Sequence, residues 1–259
     1  MRRISKYAYL GLLLLFFYAP LAVLVFYSFN QGGSVGRFTG FSLKWYISLF
    51  TNPDIEGVLS ALWVTLACAA VSAVISTVFG TISALGIYAY RRGWRNTVLN
   101  ITYLPMLNPE IVTGVSLMVM MAFIHLPFGF LTLVLAHVSF NVPYVIFCVL
   151  PKLAQVDMRT YEAAQDLGAS PNAALWKVVI PQISPGIITG GLLAFTLSMD
   201  DFVISYFTGG EVQNLSVLVY SMARKGIKPE LNALSALMFM VVLALLLIIN
   251  RRNPSMLEF

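Results

Sequence analysis

The chain has 259 residues, 59% of them hydrophobic and 10% charged, with a net charge of +5 and a mean hydropathy of +0.82. A soluble domain carries about 25% charged residues, so these values exclude a soluble enzyme or nucleic-acid binder and leave a polytopic helical membrane protein. In such a chain the placement of Lys and Arg matters more than their sum.

A bilayer span needs about 20 mostly apolar residues. Six segments qualify: about 8–29, 58–90, 97–124, 128–151, 184–207 and 232–250. The first follows MRRISK, but its apolar run exceeds the usual ~7–15-residue signal-peptide core and no A-x-A-like site follows. It is expected to remain as an uncleaved span. The second is long enough to tilt or protrude. Pro105 and Pro109 predict a kink or break in the third, just before Glu110. Eleven basic residues fall on one side: Arg2, Arg3, Lys6, Arg91, Arg92, Arg95, Lys152, Arg159, Lys177, Arg251 and Arg252. Five fall on the other: Arg37, Lys44, Arg224, Lys225 and Lys228. The positive-inside rule then puts both termini in the cytoplasm. Loops at about 30–57, near Pro127–Phe128 and at about 208–231 face outward. Loops at about 91–96 and 152–183 face inward. The single transmembrane domain is expected to fill the whole chain, 1–259.

The long inner loop carries its own helix signals. Asp157 is placed to cap a helix through MRTYEAAQDL, and Gly168 follows where a left-handed residue would end it. Ser170 can cap a second helix with Pro171 at its first position. Pro181 and Pro185 are expected to close that helix before the fifth span. Pattern alone also permits an amphipathic connector lying on the membrane. The spacing is more specific. Glu162, Ala163 and Ala164 are followed three residues later by Gly168, and Pro181 lies 13 beyond it. This resembles the EAA loop of ABC importer permeases, with Val178 and Ile180 at its Ile and Leu positions. The resemblance implies an all-α, six-helix fold of the type I importer permeases. It also implies that Glu162, Ala163, Ala164, Gly168 and Pro181 couple the spans to an ATPase subunit. No G-x-x-x-x-G-K-[ST] phosphate loop is present, so ATP and Mg are expected on partner subunits, with no cofactor here.

Three acids lie within spans: Glu110, Asp200 and Asp201. A lipid-facing carboxylate at a helix centre costs about 2.5–3.5 kcal/mol. No Lys or Arg lies within a proposed span to pair with them, so they are expected to line a cation path. Counting ~1.5 Å per residue along straight helices puts Glu110 and Asp200 each about 22 Å from the inner end, at one level. Gly186, Gly190, Ala194 and Ser198 form an i+4 row that lets the fifth span pack closely. On a continuous helix the two aspartates would point about 100° apart and flank a space. Tyr103, Tyr144, Phe202 and Tyr206 could add aromatic faces for a cation. Trp45 reads from the residues as an interfacial anchor, and His125 and His137 as ordinary polar groups without metal-like companions.

SFNQGG, GFSLKWYISLF, LNPEIVTGVSL and FTLSMDDFVISYFTGG resemble the spermidine/putrescine permeases within that family. The resemblance assigns transport roles to Trp45, Glu110, Ser198, Asp200 and Asp201, with Glu110 standing where the family carries Asp. It implies a bacterial inner-membrane protein with four kinds of neighbour: a second permease, two ATP-binding subunits, an outside solute-binding protein and lipid. Nucleic acid is not among them. Two rivals stay open: the same machine with other cargo, such as a metal cation or phosphonate, and a proton-coupled secondary transporter.

Overall fold

Proline placement, and what satisfies the groups it frees, decides where these apolar segments break. The structure, a computed structural model, describes residues 2–33, 37–51, 56–225, 229, 232–237 and 239–240. The expected sixth span, 232–250, lies largely outside the described residues, as does the C-terminus. Among the described residues the only β pairing is an isolated antiparallel bridge between Asn30 and Phe41; the rest is helix and connector. Four helical stretches are long and apolar enough to cross a membrane: Tyr9–Ser28, Gly57–Ala89, Phe130–Leu153 and Pro171–Asp200. A bent pair, Gly93–Leu107 and Glu110–Phe123, makes a fifth if counted as one span.

Two compact units are distinguished, Met1–Gly57 with Val219–Phe259, and Val58–Leu218. The first contains α1 (Arg2–Ser28) and α2 (Lys44–Thr51). The connector between them is pinned by Asn30. Its side chain donates to Arg37 O at 2.9 Å and accepts from Thr39 N at 2.8 Å. The Ser28 hydroxyl meets Tyr46 OH at 2.6 Å, and Phe29 stacks on Phe41 with centroids 5.0 Å apart.

The second unit is built from α3 (Glu56–Ala89), α4 (Arg92–Leu107), α5 (Glu110–Phe123), α6 (Phe130–Leu153), α7 (Met158–Asp166), α8 (Pro171–Ala174), α9 (Ile180–Asp200), α10 (Val203–Thr208) and the start of α11 (Leu215–Lys225). Its centre is a three-helix seam made by missing side chains. A Cβ on Gly80 of α3 would lie 2.6 Å from Val145 of α6. One on Gly190 of α9 would lie 3.2 Å from the same valine. Val145 is fully buried. The row Gly186, Gly190, Ala194 and Ser198 is the buried face of α9, as its i+4 spacing predicts. Small residues are what lets helix backbones approach where lipid offers no hydrophobic drive.

The third expected span breaks where Pro109 predicts. A residue before proline is pushed into extended backbone, and Asn108 adopts φ −73°, ψ 141°. The two helices on either side make an angle of 102°. Pro105 stays inside α4 without ending it. α4 begins at Arg92, so the expected inner loop at 91–96 is mostly its first turn.

The fifth span differs from expectation at both ends. Pro181 and Pro185 do not close a helix. Helix continues from Pro171 through a π-turn at Leu175–Val179 into α9. Ile180 N–H bonds back to Leu175 O, five residues earlier, and this wider turn accommodates a proline at the next position. Pro185 leaves Pro181 O without its usual amide donor. The Ser184 hydroxyl fills that place at 2.8 Å. At the other end α9 stops at Asp200, Asp201 is extended at φ −63°, ψ 125°, and the short α10 follows. The expected continuous helix over 184–207 is two helices with a joint at the acids.

Candidate functional site

The joint between α9 and α10 gathers the polar groups of this part of the chain. Asp200 is the last residue of α9 and is exposed, with no hydrogen-bond or ion-pair partner among the described residues. Asp201 turns inward, and its side chain is 6% exposed. Its Oδ1 accepts from Ile204 N at 3.2 Å, and its Oδ2 from Ser205 N and Ser205 Oγ, both at 2.8 Å. These are first-turn amides of α10 that have no partner within the helix. His137 Nε2 of α6 stands 3.4 Å from the same carboxylate oxygen and 3.0 Å from Ser205 Oγ.

This corrects one expectation: a buried acid in this protein does have a side-chain partner on another helix, and that partner is His137. The partner is a histidine rather than Lys or Arg, and it meets the acid only through the packing of α6 on the joint. The two aspartates diverge, but at a break rather than around a continuous helix.

Ser198 is 2% exposed. Its hydroxyl accepts from Asn141 Nδ2 of α6 at 2.7 Å and meets Ser72 Oγ of α3 at 3.0 Å. It therefore ends the small-residue row as a polar tie between three helices, and does not face an open path. Asn141 and His137 lie four residues apart on α6, so both project from one face. That polar i, i+4 pair in an apolar helix was the signal in the sequence that pointed to this network.

Glu110 opens α5 just after Pro109 and is exposed. An acid in a first helical turn is favoured by the helix dipole. One turn further, Gly114 packs on α10: a Cβ there would lie 3.5 Å from Ile204 Cα and from Val203 O. Glu110 is thus one helical turn away from a contact between α5 and α10, the helix that follows the two aspartates. The bend before it removes the straight-helix basis for the 22 Å depth.

Tyr206 is 51% exposed and its ring lies 5.6 Å from that of Phe202. Tyr103 packs edge-on to Phe147 at 6.2 Å and Tyr144 on Phe140 at 5.2 Å. Trp45 belongs to the other unit. Its indole donates to Asn30 O at 2.6 Å, and Lys44 Nζ lies 4.9 Å over its ring. These contacts hold α2 against the connector after α1.

As far as Pro171, the loop at 152–183 folds as its capping signals predict. Asp157 caps α7, accepting from Arg159 N at 3.1 Å. Gly168 has φ +91°, a conformation that favours glycine. Ser170 Oγ accepts from Ala173 N at 3.3 Å with Pro171 at the first position of α8. None of α7 is buried. Glu162 and Ala163 are exposed and Ala164 half-buried, while Leu167 and Trp176 are 90% and 68% exposed. Beneath them Val156, Val179 and Ile183 join one buried cluster with Ile87 and Leu153. The loop thus sits directly on the C-terminal ends of α3 and α6 and the start of α9. Pro181 is at the second position of α9, between loop and span.

These elements define a helical membrane protein with a helical loop packed on its core and an acid-bearing joint. The chain matches the family described as "Binding-protein-dependent transport system inner membrane component" over residues 76–251. It is 34% identical over 250 residues to the spermidine/putrescine transport system permease protein PotC of Haemophilus influenzae, covering 95% of this chain and 96% of that one. It is 38% identical over 231 residues to the putrescine transport system permease protein PotI of Escherichia coli (strain K12), covering 86% and 81%. Among solved structures, a bacterial ABC transporter involved in the import of the acidic polysaccharide alginate overlays with a TM-score of 0.70 at 17% identity, covering 100% and 97%. The MetNI methionine ABC transporter overlays with a TM-score of 0.61 at 19% identity, covering 75% and 93%. The chain belongs to the family of binding-protein-dependent transport system inner membrane components, and its fold is that of the ABC importer permeases.

Proposed function

We propose that this chain is the translocation subunit of an ATP-driven importer that carries polyamines, spermidine or putrescine, into the cytoplasm. The observation that carries the cargo reading is the pair of exposed carboxylates, Glu110 at the start of α5 and Asp200 at the end of α9, each at a helix break. Polyamines present spaced ammonium groups, and spaced carboxylates bind them in turn. Similarity to PotC and PotI along most of the chain supports the same cargo. Anionic cargo would call for basic residues or helix N-termini at the site, and the acids argue against it.

The partners are a second, homologous permease, two ATP-binding subunits and an extracytoplasmic solute-binding protein, all in a bacterial inner membrane with both termini cytoplasmic. The chain itself catalyses no covalent step. ATP and Mg are held by the ATP-binding subunits. Their closure pushes on α7 through Glu162, Ala163 and Ala164, and Gly168 and Pro181 carry the motion into α9. Because α9 ends at Asp200, one rigid element joins the energy input to the cargo acids.

Two experiments test this. Uptake by the assembled importer is measured with a panel of labelled spermidine, putrescine, a divalent metal cation and a phosphonate. Saturable uptake of a polyamine alone is expected, and uptake of the metal or phosphonate instead would replace the cargo. For the loop, Gly168→Val forces a β-branched residue into left-handed backbone at a cost of about 1–2 kcal/mol or more. It is expected to reduce recovery of the ATP-binding subunits on co-purification severalfold. Gly168→Asn tolerates that backbone better and should recover most of it.

A further inference from the structure

We propose that His137 and Asp201 form a latch that fixes the α9–α10 joint, so that Asp201 is a positioning residue and Asp200 is the acid left to meet a polycation. This rests on the reading of the chain as a polycation permease and divides its paired acids into two roles.

A carboxylate that binds passing cargo needs free oxygens and access. Both oxygens of Asp201 are engaged within the protein, and its side chain is 6% exposed. Proton accounting then fixes the histidine. Ser205 has a single hydroxyl hydrogen, and it goes to Asp201 Oδ2 at 2.8 Å. The Ser205 oxygen must therefore accept its other two contacts, from Asn214 Nδ2 at 2.7 Å and from His137 Nε2 at 3.0 Å. Nε2 thus carries a hydrogen, and it is directed at the edge of the Asp201–Ser205 pair. His137 is 2% exposed, so neither partner is replaced by water without opening the joint.

The latch reaches beyond the pair. Asn214 Nδ2 also donates to Asp201 O at 2.8 Å, and Asn214 Oδ1 accepts from Val217 N at 2.9 Å. Leu215 N donates to Thr65 Oγ1 of α3 at 2.8 Å. The carboxylate therefore ties the end of α9 to α6 and α10, while the backbone carbonyl of the same residue and Ser205 Oγ hold Asn214, whose neighbour Leu215 reaches α3. Removing one partner leaves buried polar atoms of the others without their hydrogen bond. Asp200, one residue away, takes no part in these bonds.

The test uses the assembled importer and two readouts. Amide hydrogen exchange over residues 201–214 reports the joint whatever the cargo is. Spermidine uptake gives KM and Vmax. His137→Leu and Asp201→Asn are each expected to raise exchange by at least about fivefold and to lower Vmax by a similar factor with KM within about twofold. The double variant should be no worse than the worse single one. His137→Gln, which restores an N–H donor, should recover part of the exchange protection. Asp200→Asn should leave exchange unchanged and raise KM by about tenfold. Asp201→Asn that raises KM about tenfold with unchanged exchange would make Asp201 a cargo contact and overturn the latch. So would His137→Leu with both readouts unchanged. Should His137→Leu fail to assemble, Ser205→Ala decides: exchange must rise, and unchanged protection refutes the proposal. Should the wild type take up no spermidine, the cargo reading fails, and the exchange comparison still judges the latch.

Discussion

Gly186→Val is expected to leave almost no folded protein in the membrane. A Cβ at this position would lie 2.9 Å from the backbone carbonyl oxygen of Cys148 and 2.8 Å from Lys152 Cγ. The lysine side chain can move aside. The carbonyl belongs to α6 and cannot move without parting the helices. Overpacking of this kind costs about 1–3 kcal/mol for a methylene-sized intrusion, and a branched side chain adds to it. Gly186→Ala should show a partial loss and Gly186→Val a near-complete one, read as the amount of detergent-extracted, monodisperse protein. Gly93→Ala is the control. Nothing lies within 4 Å of a Cβ there, and alanine in a helix is favoured over glycine, so accumulation should be unchanged or slightly raised.

The second large effect concerns the exposed acids. The double variant Glu110→Gln and Asp200→Asn is expected to lower spermidine uptake by about a hundredfold while the importer still assembles. A hydrogen bond to a charged group contributes about 1.5–3 kcal/mol, and each 1.4 kcal/mol is about tenfold. Losing two such contacts gives the stated factor. Both side chains are exposed, so their neutralisation leaves no buried group unpaired and the fold is retained. Uptake within about threefold of wild type would remove these acids from the path.

Local signals in the sequence were legible where one residue decides the backbone. Asp157, Gly168, Ser170 and Pro171 each act within a turn of their own position: α7 begins and ends, and α8 begins, as they dictate. Pro109 likewise forces Asn108 extended and breaks the third span. Prolines 181 and 185 gave the opposite lesson. Their cost is met locally by a π-turn and by the Ser184 hydroxyl, neither of which periodicity announces. The joint after Asp200 was hidden for another reason. Apolar residues continue through Phe207 with neither glycine nor proline, so the segment reads as one helix. What stops it is a carboxylate that prefers to cap a new turn and meet His137, a partner supplied by packing alone. The exposed acid Asp200 and the buried acid Asp201 are neighbours with the same side chain, and only the three-dimensional contacts separate them.

This chain is expected to move cargo only as part of an ATP-driven assembly. Purified chain is placed in liposomes with the second permease and ATP-binding subunits, ATP inside, and the cargo-loaded binding protein outside. Labelled spermidine should accumulate only when every component and hydrolysable ATP are present, and an imposed proton gradient should not replace them. Accumulation by this chain alone, driven by a proton gradient without the ATP-binding subunits, would contradict the account.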